Sequence, residues 1–145
     1  MPEIYGIIVN YNYQGFLRDS FPAWKDCAPA FKRLVIVDDQ STDHGQDDVF
    51  EDFSNIGVAT ISTFGEKSTD NSLNQLSAIE TGVWALDVPL EDFLWVIDAD
   101  DFLAPAEEVA KVKAALTADL CAVSAILTDR TRNFGMATPR HGLLW

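Results

Sequence analysis

At 145 residues the chain is long enough for one domain with a real core and too short for two ordinary ones. A composition 48% hydrophobic and 23% charged marks a globular protein, neither disordered nor fibrous. Twenty-three acidic residues against ten basic ones leave a formal charge of -13, which repels phosphate backbones and anionic lipid and argues against nucleic acid or a membrane surface as partner.

The opening MPEIYGIIVNYN has an acid ahead of its apolar run and no basic region, so it does not read as a secretion signal. Within it, Tyr5 to Val9 is a nearly continuous hydrophobic run, the pattern of a strand covered on both faces. Phe16, Leu17, Ser20 and Trp24 then fall on one side of a helix, which Pro22 is expected to end or kink. Leu34 to Val37 predicts a second buried strand. The acidic group Asp47, Asp48, Glu51 and Asp52 reads as the solvated face of a helix beginning near Gly45. Val58 to Ser62 predicts a third strand. Leu73, Leu76, Ile79, Val83 and Leu86 recur at spacings of three and four, predicting a helix with these residues on one side. A fourth strand is expected over Phe93 to Ile97. Pro105 suits a first helical turn ahead of Val109, Val112 and Leu116, and Leu120 to Leu127 predicts a fifth strand.

Strands alternating with helices imply right-handed crossovers, hence an α/β fold: a doubly wound, mostly parallel, Rossmann-like sheet in a three-layer α/β/α sandwich. The expected division is a domain over residues 1–128 and a tail over 129–145, which has no clear period and reads as a loop, a hairpin or the start of something longer. Its apolar end, Leu143-Leu144-Trp145, calls for a cover from a second copy or another partner. No run approaches the roughly 18 apolar residues of a membrane span. Cys27 and Cys121, far apart and without a close cysteine neighbour, read as reduced packing residues of a cytoplasmic protein.

In open α/β sheets, ligands bind outside the carboxyl ends of the strands. The first strand ends in Asn10-Tyr11-Asn12, the second in Asp38-Asp39-Gln40-Ser41-Thr42-Asp43, and the fourth in Asp98-Ala99-Asp100-Asp101. Carboxylates gathered at one edge repel each other unless a cation is present. Hard oxygen ligands suit Mg²⁺ or Mn²⁺, which take one or two protein carboxylates and complete their shell with water and substrate phosphates. Asp43 fits a helix cap as well as a ligand, Asp101 a turn as well as a ligand, and Asn10 and Asn12 can satisfy loop backbone. Asp98 with Asp100, directly after FLWVI, has little structural reason to exist and points to function.

IIVNYN, then FLRDSF, LVIVDDQSTD, NQLSAIETG and FLWVIDADDFLAP, in this order, resemble family 2 glycosyltransferases of the GT-A fold, over residues 4 to 128. The resemblance implies that Asn10, Tyr11 and Asn12 line a base pocket and that Asp38 and Asp39 contact the base or ribose. It implies that Asp98 approaches the ribose and that Asp98 and Asp100 hold Mn²⁺ or Mg²⁺, Asp100 being the first choice as direct ligand and Asp101 a weaker neighbour. In the stretch matching Asn74 to Gly82, small residues let a helix pack near the donor, and Glu80 stands among them. The implied reaction moves a sugar from a nucleotide diphosphate sugar, by default a UDP-sugar, to an acceptor hydroxyl that the sequence does not identify. Such a step needs a general base and a positioned acceptor. Family members draw both from sequence after the region ending near Asp129, where this chain has no acidic residue and only His141 as a possible base. A non-catalytic or truncated nucleotide-binding module is therefore the alternative.

Two other classes fit less well. A signalling receiver domain carries its acidic pair at the first strand and a late lysine at a strand end, whereas VDD here ends the second run and Lys111 and Lys113 lie within a helical pattern. A nucleotidyltransferase would show a Gly-rich, basic loop after the first strand; Asn10 to Gly15 has one glycine and no base before Arg18.

Overall fold

The structure, a computed structural model, describes residues 2–43, 48–101, 106–116, 124–125 and 142–143. Four strands, β1 (Ile4–Asn10), β2 (Arg33–Asp38), β3 (Ala59–Ser62) and β4 (Phe93–Asp98), form one sheet in the order β3-β2-β1-β4. Every pairing is parallel, with Ile8 opposite Ile36 on one side and Ile97 on the other. The chain winds outward from β1 to β3, then crosses back to lay β4 on the other flank of β1. The reversal of winding therefore falls between β1 and β4, the kind of position where such sheets bind ligands.

Side chains alternate between the faces, as strand geometry requires. Ile4, Ile8, Leu34, Ile36, Phe93, Trp95 and Ile97 join one core with residues of α1 (Gln14–Cys27), α2 (Val49–Asn55) and α4 (Ala106–Ala115), among them Leu17, Trp24, Phe53 and Val109. Tyr5, Ile7, Val35, Val37 and Leu94 join a second core with Ala78 and Leu86 of α3 (Asn71–Leu86). Three layers result, as the sequence pattern implied, with α3 on one face and the other helices opposite.

Local expectations for three helices are corrected. Pro22 does not end α1, which continues to Cys27. A proline inside a helix costs about 3 kcal/mol, but Trp24 and Cys27 lie beyond it and are fully buried. Burying a large side chain contributes on the order of 2–3 kcal/mol, so tertiary packing holds the last turns. Phe16 is not on the buried side of α1; it is surface-exposed and meets Tyr13 edge-on at 5.4 Å.

The buried side of α3 also differs from the one read off large apolar residues. Leu73 and Leu76 are 54% and 60% exposed, while Ala78, Gly82 and Leu86 face the sheet. Large apolar residues lie on its outer side as well, with Leu73, Leu76, Val83 and Trp84 exposed, so hydropathy does not fix its rotation; close approach of the backbone does. A Cβ on Gly82 would lie 2.6 Å from Ile7 Cδ1 and 2.8 Å from its Cγ1. Glu80 is exposed on the outer side.

Finally, α2 starts at Val49 rather than near Gly45, because the Asp48 carboxylate accepts from Phe50 N at 3.0 Å and caps it. Glu51 and Asp52 are exposed on its first turn, as expected of a solvated face. Of the run Leu120 to Leu127, only β5 (Ser124–Ala125) is described; it pairs antiparallel with β6 (Gly142–Leu143), in a ladder separate from the main sheet. The boundary at residues 128 and 129, Cys121 and His141 lie outside the described residues. Cys27 is a buried thiol, pushed up from its ordinary pKa by desolvation. Among the described residues, no helix is long and apolar enough to cross a membrane.

Candidate functional site

Because β2, β1 and β4 are adjacent and parallel, their polar C-terminal ends emerge at one edge. Asn10 is in register with Asp38, and Val9 with Asp98. Strands lie roughly 4.8 Å apart, so the Asp38 and Asp98 backbones flank the end of β1 at about 10 Å. The ladder continues one residue further on each side: Asp39 N donates to Asn10 O at 2.8 Å, Thr63 N to Asp38 O at 3.0 Å and Ala99 N to Val9 O at 2.9 Å.

On the α1 side, a buried network ties the loops after β1 and β2 together. Asp38 Oδ1 accepts from Asn10 Nδ2 at 2.7 Å and from Ser41 Oγ at 2.6 Å, and Asp38 Oδ2 accepts from Ser41 N at 3.1 Å. Ser41 Oγ in turn accepts from Asn12 N at 2.8 Å, and Asn12 Oδ1 accepts from Thr42 N at 2.7 Å. Asn12 has φ +58°, the left-handed region that asparagine tolerates better than most residues. Asp43 does cap a helix, but a different one from the one expected. Its Oδ2 accepts from Gln14 N at 2.9 Å, at the first residue of α1, whose own N-cap Tyr13 contributes no side-chain bond.

The α3 side carries a different set. Asp39, one residue beyond Asp38, turns the other way: its Oδ1 accepts from Thr63 Oγ1 at 2.8 Å, and its Oδ2 lies 2.8 Å from Lys67 Nζ. Lys67 also donates to the Asp39 carbonyl at 2.8 Å and stands 3.4 Å from the centre of the half-exposed Tyr11 ring. Asp98 is exposed, on the same face as Leu94, and its Oδ1 accepts from Gln75 Nε2 of α3 at 3.0 Å. Asp100 is half-buried in the following turn, which Asp101 N closes by donating to Asp98 O at 2.9 Å.

The expected site residues therefore divide. Asn10 and Asp38 are buried beneath the rim, and Asn12 joins their network through its backbone and amide. Tyr11, Asp39 and Asp98 share the α3 side. Lys67 offsets the charge of Asp39, and three donors serve Asp38, so the rim is less repulsive than its run of aspartates suggests. Among the described residues, no three His, Cys, Asp or Glu side chains converge as a metal cage. Asp98 and Asp100 supply two hard carboxylates, which fits an ion that takes one or two from protein and the rest from water and phosphate.

Sequence reasoning missed Lys67, Thr63 and Gln75. Lys67 lies in Gly65-Glu66-Lys67-Ser68, a stretch with no periodicity. The one available signal was topological: in a parallel sheet the loop leaving β3 opens at the same edge as those leaving β1 and β2.

Neither a family model nor a curated protein matches the sequence. Solved structures do match the fold. TarS of S. aureus (residues 1–349) shares 18% identity with a TM-score of 0.56, over 77% of this chain and 31% of that one. The mannosyltransferase PcManGT from Pyrobaculum calidifontis, in complex with GDP-Man and Mn²⁺, shares 16% with a TM-score of 0.55, over 86% and 35%. Glucosyl-3-phosphoglycerate synthase of M. tuberculosis shares 16% with a TM-score of 0.51, over 75% and 38%. The TarS fragment also matches in complexes with UDP-GlcNAc and with UDP. The fold is thus GT-A-like, and the chain spans about a third of the length of each of these structures.

Proposed function

From this GT-A-like fold we propose that the chain is the donor-binding part of a glycosyltransferase, taking a nucleotide diphosphate sugar at the C-terminal edge of its sheet for transfer to an acceptor hydroxyl. The observation that carries the reading is the presence of Tyr11, Asp39 and Asp98 on one side of that edge, at the point where the sheet's winding reverses. In this reading Tyr11 offers an aromatic face to the base, and Asp39 accepts hydrogen bonds from the base or ribose. Asn10, Asp38 and Asn12 hold the two loops in shape. Asp98 approaches the ribose, and Asp98 and Asp100 hold Mn²⁺ or Mg²⁺.

When bound, such an ion neutralises charge on the diphosphate and so favours its departure as leaving group. The chain's own contribution is to seat the nucleotide and fix the orientation of the sugar's anomeric carbon. Two of the structural neighbours support the choice of ligand: TarS was solved with UDP-GlcNAc and UDP, and PcManGT with GDP-Man and Mn²⁺. Uridine diphosphate sugars are the first donors to test.

The test is a thermal-shift series with UDP and GDP, each with and without Mn²⁺ or Mg²⁺. At a hundredfold excess over Kd, binding should stabilise the protein by about 2.7 kcal/mol. Asp100→Ala should abolish the metal-dependent part while circular dichroism shows an intact fold. If neither diphosphate stabilises the chain under any metal condition, the reading is wrong.

A further inference from the structure

Lys67 occupies the two groups that the donor-site reading offers to a nucleobase. Asp39 Oδ1 is committed to Thr63 Oγ1 at 2.8 Å, which leaves Oδ2 for an incoming N–H, and Lys67 Nζ stands 2.8 Å from it. The same ammonium is 3.4 Å from the centre of the Tyr11 ring, in van der Waals contact with that face. A planar base cannot lie on the same face of Tyr11 while the ammonium is there.

This contact is more than a solvated surface bridge. The Lys67 side chain is 26% exposed and that of Asp39 9%, so water screens the pair only in part. A third bond, to the Asp39 carbonyl at 2.8 Å, fixes the ammonium further. Lysine nevertheless carries its charge on a flexible stem that can swing away. Released, the ammonium needs a new anionic partner. The diphosphate of a nucleotide offers one; a nucleoside without phosphates offers none.

We propose that Lys67 is an internal competitor for the base position, displaced when a donor binds, and that it thereby makes recognition depend on the diphosphate. The inference rests on the donor-site reading. It assigns Lys67 the part of a specificity-determining residue, one that selects nucleoside diphosphates over nucleosides.

The experiment is calorimetric titration of the wild type and Lys67→Met with uridine, guanosine, UDP and GDP in the presence of Mn²⁺. Lys67→Gln serves as a second uncharged variant should Lys67→Met fail to fold. For whichever base binds, the variant should take the nucleoside on the order of tenfold more tightly, the change expected if the competing arrangement fills about nine molecules in ten. The preference for diphosphate over nucleoside should shrink in parallel. Unchanged or weaker nucleoside binding in the variant overturns the proposal, and the donor-site reading survives that result if UDP or GDP still binds the wild type. If no diphosphate binds either protein, both fall.

Discussion

Asn10 and Asp38 stand opposite one another in the β1–β2 register, and their side chains meet as amide to carboxylate at 2.7 Å. The pair is buried, and Ser41 closes it from the loop above. What the sequence presents as an acidic pair, Asp38-Asp39, is therefore two residues with different tasks on different faces of one sheet.

Removing the Asp38 carboxylate should orphan buried donors on Asn10 and Ser41. Each unsatisfied group costs about 1–3 kcal/mol, so Asp38→Ala is expected to lose ~3 kcal/mol in urea unfolding. Ser41→Ala, which keeps the Asn10–Asp38 bond, should lose less. An Asp38→Ala variant as stable as the wild type would contradict the network.

The Asp43 carboxylate should behave as the N-cap of α1 although it lies in another loop. Asp43→Ala is expected to cost about 1 kcal/mol, and Asp43→Asn, which keeps an acceptor, only a fraction of that. Equal losses in the two variants, measured as shifts in the denaturation midpoint, would point to charge rather than capping.

Gly82 sets the distance between α3 and the sheet. Alanine there gains about 1 kcal/mol in helix propensity but drives a methyl to within 3.0 Å of three Ile7 carbons, and overpacking costs about 1–3 kcal/mol. The expected net effect of Gly82→Ala is destabilisation, with partial rescue by Ile7→Val, which removes one of the opposing carbons. Double-mutant analysis of unfolding free energies checks the coupling.

Glu3, just ahead of β1, is tied to Lys113 near the end of α4. The hydrogen bond from Lys113 holds its carboxyl below the ordinary value of 4.5. A depressed carboxylate contributes stability above its unfolded pKa and loses it as pH falls through the folded one. The protection of α4 amides against hydrogen exchange, corrected for the intrinsic pH dependence of the exchange rate, should be steady above about pH 4.5 and fall below it, and Glu3→Gln should remove that acid step.

The hydrophobic runs made the sheet legible, because strands buried on both faces must be apolar throughout; β1, β2 and β4 follow their runs to within a residue or two. The gathering of Asn10, Asp38 and Asp98 at one edge followed from parallel topology alone. The rotation of α3 did not, since small residues such as Ala78 and Gly82 carry no hydropathy signal and Leu73 and Leu76 carry a misleading one. Pro22 misled in the same way: its local cost is real, but burial of Trp24 outweighs it. Lys67 was hidden for another reason. Its role comes from where a non-periodic loop lands, which no local pattern records.

The placement of β4 next to β1 has a temporal consequence. Between them the chain must first traverse two other strands and three helices, so the loops carrying Tyr11 and Asp39 can reach their arrangement while Asp98 is still unattached. Closure of so long a loop is an entropically slow event, which makes docking of β4 the natural late step of folding. A ligand that touches both halves of the rim would accordingly grip only molecules in which that final docking has occurred, and its binding would report assembly of the whole sheet.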